Sequence, residues 1–218
     1  MAVYRRLHAA HGPQRWWPGD STLEIMVGAV LTQNTAWTNV EKAIANLKAA
    51  QALSPEVIAA TPHRRLAAWL KPSGYFNIKA QRLHALCAWL IRKGGAKRIA
   101  RLPTASLRAE LLQVHGIGPE TADDILLYAF NRPVFVIDAY TRRLFQRLGL
   151  IQGDESYETL RSLFEKSLAT DTQLFNEYHA LIVAHAKDFC RKRPLCGACN
   201  LGPLCPSREL LSKIIGHR

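Results

Sequence analysis

The chain has 218 residues and a formal net charge of +12, from 29 Lys and Arg against 17 Asp and Glu. Its hydrophobic fraction of 48% is large enough for a buried core, which excludes a disordered chain. No apolar run approaches the roughly 18 residues of a membrane span, and the polar, basic start lacks the apolar stretch of a secretory signal. The excess of positive charge fits either a polyanionic partner such as nucleic acid or a solvated basic surface.

The predicted elements are almost all helices. Apolar residues recur at helical spacing between Leu23 and Leu47. Ser54-Pro55 and Thr61-Pro62 each have the form of an N-cap followed by proline at the first helical position. Further helices are predicted over 80–91, 107–112, 122–130, 138–148, 157–169 and 174–187. The apolar run 134–137 is too short to predict a sheet, so the expected fold class is all-α.

The helices are expected to form two lobes. Residues 21–131 are predicted to form one helical lobe. The two chain ends, 1–20 and 132–218, are predicted to form a second lobe that carries a cluster of cysteines near the end of the chain.

Four of the five cysteines fall within sixteen residues, in the pattern C-x5-C-x2-C-x5-C. Clustered thiolates favour a metal centre, either tetrahedral zinc or an iron–sulfur cluster, and the spacing alone leaves both open. Four unrelated thiols are the alternative. The ligands in this prediction are Cys190, Cys196, Cys199 and Cys205. The fifth cysteine, Cys87, lies in an apolar helical run and is predicted to be a small buried hydrophobic residue.

A glycine turn between two predicted helices is the most informative segment. Gly116-Ile117-Gly118 would let another backbone approach closely, and the start of the following helix would offer N–H groups to a phosphate. An ordinary connection between helices is the alternative. Asp138 follows Gly118 by twenty residues at the start of another helix, where it could act in catalysis or simply as the N-cap.

Together, the glycine hairpin, Asp138, the segment Leu31-Thr32-Gln33-Asn34-Thr35 and the four-cysteine loop resemble the endonuclease III superfamily of DNA glycosylases over most of the chain. The resemblance implies a two-lobed all-α fold with a DNA-binding cleft between the lobes. It also implies that a damaged base is flipped out and its N-glycosidic bond is cut, with Asp138 as the catalytic carboxylate. A carboxylate suits this reaction because positive charge develops on the sugar.

The same resemblance implies a [4Fe–4S] cluster on the four cysteines in preference to zinc, although the first gap has five residues where the family usually has six. It further implies double-stranded DNA with a damaged base as the partner, a monomeric enzyme and a cytoplasmic, nucleoid-associated location. Among the DNA-binding residues, Gln33 would fill the gap left by the flipped base. Gly116, Gly118 and Thr121 would contact DNA from the hairpin, and Lys187 would reach a phosphate.

Two positions indicate which branches of the superfamily the chain does not resemble. Members that also nick the strand carry a lysine two residues after the second hairpin glycine, whereas this chain has Glu120. A carboxylate cannot form the Schiff base that nicking requires, so a monofunctional enzyme without efficient lyase activity is expected. Members that act on adenine mismatches carry a glutamate at the position of Ala29, which argues against that branch.

The segment Trp16-Trp17-Pro18 and the aromatic Trp37 resemble the 3-methyladenine DNA glycosylase III group, in which these positions and Glu120 line the base pocket. Trp37 departs from the phenylalanine typical of that group. Indole rings bind a cationic alkylated base favourably. The alternatives are core packing for the tryptophans and a solvated charge at a helix start for Glu120.

The leading hypothesis is therefore a monofunctional N-glycosylase for alkylated purines such as 3-methyladenine. The alternatives are a glycosylase of the same fold for uracil, a thymine mismatch or a deaminated purine, or one with weak endonuclease III-like activity. A non-catalytic DNA-binding module and a zinc-stabilised adaptor are hypotheses from other functional classes.

Overall fold

The structure is a computed structural model that describes residues 1–208. All regular elements in this range are helical, which confirms the all-α prediction. The α-helices are α1 (Ala2–His11), α2 (Thr22–Leu31), α3 (Trp37–Ala49), α4 (Pro55–Ala60), α5 (His63–Leu70), α6 (Phe76–Arg92), α7 (Ala96–Ile99), α8 (Thr104–Leu112), α9 (Pro119–Asp124), α10 (Ala139–Arg147), α11 (Tyr157–Ser167) and α12 (Thr172–Asp188). A π-helical turn, Ile125–Ala129, extends α9, and short 3-10 turns lie at Lys71–Ser73, Cys196–Ala198 and Gly202–Leu204.

The chain folds into two compact units. One consists of Met1–Trp16 together with the chain from Pro133 onward, and the other consists of Trp17–Arg132. The assignment of a metal cluster to a lobe made of 1–20 and 132–218 stays a prediction, and its last residues, 209–218, lie outside the described range. Over 1–208, no helix has both the length and the apolar character needed to cross a bilayer.

Two helix starts test the prediction that Ser54-Pro55 and Thr61-Pro62 each form an N-cap followed by proline at the first helical position. Ser54 accepts a hydrogen bond from the N–H of Val57 and caps α4, as predicted. The same prediction is wrong at Thr61-Pro62, because Pro62 itself occupies the N-cap position of α5. The hydroxyl of Thr61 instead donates to the carbonyl of Val57 in the last turn of α4, at 2.6 Å.

The central helix of the Trp17–Arg132 unit is α2. Its residues from Met26 to Leu31 are all buried, as expected for a helix that is apolar on every side. The loop that follows α2 is anchored in this core because it begins directly after buried Leu31. The hairpin formed by α8 and α9 is anchored there because Ile117 at its tip is buried and α9 packs against α2. This core therefore fixes the two segments that carry the predicted DNA contacts.

The core of the other unit is aromatic. Phe135 stacks on Phe164 with ring centroids 4.5 Å apart and meets Phe175 edge-on at 5.4 Å. Phe135 belongs to the run 134–137, which is buried without forming a strand. This run leads directly into Asp138, so the position of the aspartate backbone is set by buried neighbours.

Candidate active site and nucleic-acid interface

The two glycines of the hairpin have different roles in the fold. Gly116 has φ = +83°, a region that favours glycine, and a Cβ built there would collide with the side chain of Arg82. Gly118 has an extended backbone, and a Cβ there would meet no heavy atom within 4 Å. Packing therefore requires Gly116, whereas Gly118 leaves an open backbone surface that a ligand can approach.

Gln33 is tied to the hairpin in the free protein. Its Nε2 donates to the carbonyl of Gly116 at 3.1 Å and to Oγ1 of Thr121 at 2.8 Å. Its Oε1 accepts a hydrogen bond from Nη1 of Arg82. Three of the predicted DNA-binding residues thus form one cluster, and Arg82 completes it. No motif in the sequence pointed to Arg82, because only the packing of α6 beside the hairpin reveals its contact.

A buried lysine anchors the loop after α2. Lys79 is 1% exposed, and its Nζ donates to the carbonyls of Leu31 and Ser73 and to Oγ1 of Thr35, at 2.8, 2.7 and 2.6 Å. Burial lowers the pKa of Lys79 to about 8. The three oxygens satisfy all three ammonium donors, so this side chain joins the end of α2 to the turn before α6.

An aromatic cluster is formed by Trp17, Trp37 and Tyr128. The ring of Trp17 meets Trp37 edge-on with centroids 5.1 Å apart and lies 4.9 Å from Tyr128. Trp17 and Trp37 are partly exposed, and Tyr128 is buried. Two of the predicted pocket residues are therefore together, with Tyr128 as an addition that sequence reasoning missed. The segment Trp16-Trp17-Pro18 straddles the boundary of the two units, and Pro18 is exposed.

Glu120 lies near the N-terminus of a helix, and Lys187 lies near the C-terminus of another. Glu120 is exposed in the first turn of α9, and Lys187 is exposed in the last turn of α12. Each charge complements the dipole of its own helix.

Asp138 caps α10. Its Oδ1 accepts the N–H of Thr141 at 2.7 Å, which confirms the N-cap role, and its Oδ2 lies 3.6 Å from Nε2 of His179 on α12. The Asp138 side chain is 13% exposed and that of His179 is 6% exposed. Burial opposes ionisation of Asp138, but the nearby His179 imidazole and the N–H of Thr141 lower the pKa of the carboxyl below its ordinary value. His179 carries no motif in the sequence and was missed.

The four clustered cysteines all line one small cavity in their unit. Nη1 of Arg147 lies 3.3 Å from Sγ of Cys190 and donates to the carbonyl of Arg191, so a positive charge lies beside the sulfurs. Among residues 1–208, no three His, Cys, Asp or Glu side chains are close enough together to hold a single metal ion. Cys87 is fully buried, as predicted, and burial raises its pKa to about 12.

Comparison with known proteins shows to which family the chain belongs. Residues 27–170 match the family model described as HhH-GPD superfamily base excision DNA repair protein. A protein of Methanocaldococcus jannaschii, provisionally named a DNA repair glycosylase, is 44% identical over 209 residues, which cover 94% of this chain and 95% of the relative.

Two solved structures extend the comparison. The 3-methyladenine DNA glycosylase of H. pylori bound to 1,N6-ethenoadenine is 31% identical, with a TM-score of 0.74 over 85% of this chain and 96% of that chain. An endonuclease III–DNA complex shares the fold at 22% identity, with a TM-score of 0.85 over 97% of this chain and 96% of that chain. The resemblance found in the sequence is confirmed: the chain belongs to the HhH-GPD superfamily of base excision DNA repair proteins and is a DNA glycosylase.

Proposed function

We propose that the protein is a monofunctional DNA N-glycosylase that removes alkylated purines, with 3-methyladenine as the favoured base, from double-stranded DNA. The observation that carries this proposal is a pair of partly exposed indoles: Trp17 and Trp37 pack edge to face, and Trp17 also packs on buried Tyr128. The 31% identity with a protein named as a 3-methyladenine DNA glycosylase supports the same substrate class.

The chemistry of the base explains why an aromatic site is suited to it. A methyl group on a ring nitrogen makes the purine cationic and weakens its bond to the sugar. An indole face attracts a cation by about 0.5–2 kcal/mol. A base that is already a good leaving group needs little protonation by the enzyme. The resemblance also assigns Trp16, Pro18 and Glu120 to base binding, and Trp37 has a larger ring than the phenylalanine typical of that position.

Asp138 supplies the catalytic carboxylate in this proposal. As the N-glycosidic bond breaks, its electron pair leaves with the cationic purine, which becomes neutral, and positive charge develops on the sugar. An ionised carboxylate stabilises that charge, and a water molecule then adds to the sugar carbon and loses a proton. The lowered pKa of Asp138 favours electrostatic stabilisation over proton abstraction as its main role, because a weakly basic carboxylate is a poor general base.

The DNA contacts are proposed from the cluster around the hairpin. Within residues 1–208, the N–H groups of Gly116 and Gly118 donate to no protein acceptor, so they are available to a phosphate. On binding DNA, the side chain of Gln33 would give up its hydrogen bonds to Gly116 and Thr121 and would fill the gap left by the flipped base. The exposed ammonium of Lys187 would add a phosphate contact.

The cysteine loop supports a [4Fe–4S] cluster as the resident group on Cys190, Cys196, Cys199 and Cys205. The resemblance to the endonuclease III superfamily implies this cluster in preference to zinc, and all four cysteines line one cavity. Bound there, the cluster would cross-link the loop to the core of its unit, with Arg147 offsetting the negative charge of the thiolates. Iron and sulfide contents of about four each per chain are expected, and stoichiometric zinc would contradict this assignment.

Release of free base from methylated duplex DNA tests the function. Purified protein should release 3-methyladenine, and Asp138→Asn should release little. Duplexes with uracil, a thymine mismatch or a deaminated purine, run in parallel, would identify another lesion if the methylated duplex is inert. Binding without release from any of these duplexes would indicate a non-catalytic DNA-binding module.

A further inference from the structure

Both oxygens of the Asp138 carboxylate have neighbours within the protein. Oδ1 accepts the N–H of Thr141 at 2.7 Å, and Oδ2 lies 3.6 Å from Nε2 of His179. Capping α10 requires only the first of these contacts, since an N-cap needs one oxygen. The second contact has a cost, because it buries a polar imidazole to 5% exposure. The stability of α10 therefore does not explain His179.

We propose that His179 is a positioning residue for the catalytic carboxylate: its Nε2–H holds Oδ2 of Asp138, so that the carboxylate keeps one orientation toward the sugar during base release. The inference rests on the proposed role of Asp138 in catalysis. With Oδ1 fixed by the backbone of Thr141, a donor at Oδ2 removes the remaining rotation of the carboxylate about its terminal bond. A fixed carboxylate stabilises developing charge without reorganising as the bond breaks.

The framework around the pair is rigid. His179 lies in the middle of α12, between buried Tyr178 and Leu181, and α12 packs against α10, the helix that Asp138 caps. The backbone before Asp138 is the buried run 134–137. Buried neighbours therefore fix the backbone position of both residues.

Other titratable groups near α12 contact different residues of that helix. The helices that pack most extensively against α12 are α1 and α10, and Phe135 of the run 134–137 also contacts it. Tyr4 of α1 packs on Tyr178, and His11 of α1 hydrogen-bonds to His185. Arg143 of α10 donates to backbone carbonyls at the end of α12. His179 is thus the α12 side chain that faces Asp138, with Nε2 3.6 Å from Oδ2, and its effect on the pKa of that carboxyl supports the pairing.

A mutant cycle measured by single-turnover base release from methylated duplex DNA tests the proposal. His179→Leu removes the donor and should slow release by about tenfold or more, with duplex affinity unchanged within about twofold. His179→Gln keeps an N–H at a similar distance and should recover most of the rate. In the Asp138→Asn background, His179→Leu should have no further effect, because two residues that act as one unit are not additive. The exposed His63→Gln is the matched control and should release base like the wild type.

Titration of the Asp138 carboxyl by carbon NMR gives a readout that needs no activity. The pKa of Asp138 should be higher in His179→Leu than in the wild type, with His179→Gln in between, and thermal melting would verify that each variant is folded. An unchanged Asp138 titration, or equal rate losses for His179→Leu in the wild-type and Asp138→Asn backgrounds, would overturn the positioning role. Failure of the proposed function would look different: Asp138→Asn would release base at the wild-type rate, or no variant would release any.

Discussion

The indole of Trp17 packs directly on Gly28 of α2: a Cβ added at Gly28 would come within 3.2 Å of the Trp17 ring. This contact lets an aromatic side chain pack closely on the central helix of its unit, beside Trp37 and Tyr128. The glycine at position 28 therefore determines how closely Trp17, a residue of the proposed base pocket, packs on α2.

Gly28→Ala should consequently impair function more than stability. The new methyl group would push Trp17 away from α2, and we expect base release to fall by about tenfold, equivalent to about 1.4 kcal/mol. Alanine improves helix propensity by up to about 1 kcal/mol, which offsets the strain in the folded protein. Parallel kinetic and thermal melting measurements check this. A variant that melts much earlier but keeps its specific activity would contradict the packing argument.

Asp138→Asn should abolish most of the activity and leave the fold intact. Asparagine is as good an N-cap as aspartate, so the free energy of unfolding should change by well under 1 kcal/mol from capping, whereas Asp138→Ala should lose about 1 kcal/mol. Loss of the charge should slow base release by about 100-fold or more. Urea unfolding and single-turnover kinetics of both variants separate the two roles. Equal activity of Asp138→Asn and wild type would exclude this carboxylate from the chemistry.

The lowered pKa of Asp138 also predicts the acid limb of the activity profile. The carboxylate stays ionised as the pH falls past 3.8, its ordinary pKa, so protonation of Asp138 should not reduce base release above that pH. For stability the sign is the same: a carboxyl whose pKa is lower in the folded state stabilises the protein above its unfolded pKa, and this contribution is lost as pH falls through the folded pKa. Asp138→Asn should therefore show a weaker acid dependence of unfolding than the wild type.

Borohydride trapping on DNA tests the absence of lyase chemistry. A Schiff base requires an accessible amine, and the hairpin position that would supply one is Glu120. Lys79 has a pKa suited to a nucleophile, about 8, but it is 1% exposed and bonded to three oxygens, so it cannot substitute. Wild-type protein should form no trapped complex, and Glu120→Lys should form one. A covalent complex with the wild type would mean that another lysine acts in its place.

Lys79→Met should lower the free energy of unfolding by about 2–4 kcal/mol. The substitution removes the donor from two buried carbonyls and from the Thr35 hydroxyl. Each polar group left unsatisfied costs about 1–3 kcal/mol. Urea denaturation measures this directly. Lys79→Arg is a useful comparison, since it keeps the charge but cannot fit three converging acceptors with a planar head. A neutral effect of Lys79→Met would show that these oxygens find other donors.

The features that were predictable from the sequence depend on local patterns. Helical periodicity located most helices, and Ser54 showed a helix start, because both signals lie within a few residues of one another. The N-cap position of Asp138 and the burial of Cys87 were accessible for the same reason. The Thr61-Pro62 prediction was wrong because Pro62, not Thr61, is the N-cap of α5. The Thr61 hydroxyl hydrogen-bonds to the preceding helix α4, and the sequence pattern does not show which helix a side chain will contact.

The missed residues share a different property. His179 is 41 positions from Asp138, and Arg82 is 49 positions from Gln33 along the chain. Tyr128 meets Trp17 only because α2 and the π-helical turn pack together. None of these pairs has a spacing rule, since tertiary packing brings the partners together. The motifs identified the residues that would touch DNA, whereas the residues that hold them in position became visible only in three dimensions.

The hydrogen bonds between Gln33 and the hairpin have a consequence for searching along DNA. If Gln33 enters the duplex as proposed, it must first give up two hydrogen bonds to Gly116 and Thr121, each worth about 1 kcal/mol net. On a sound base pair this loss adds to the energy of unstacking, so the side chain stays withdrawn and the protein moves on. Where a lesion has already loosened the pair, the exchange is nearly balanced. On this proposal, the two hydrogen bonds of Gln33 would confine base flipping to weakened base pairs.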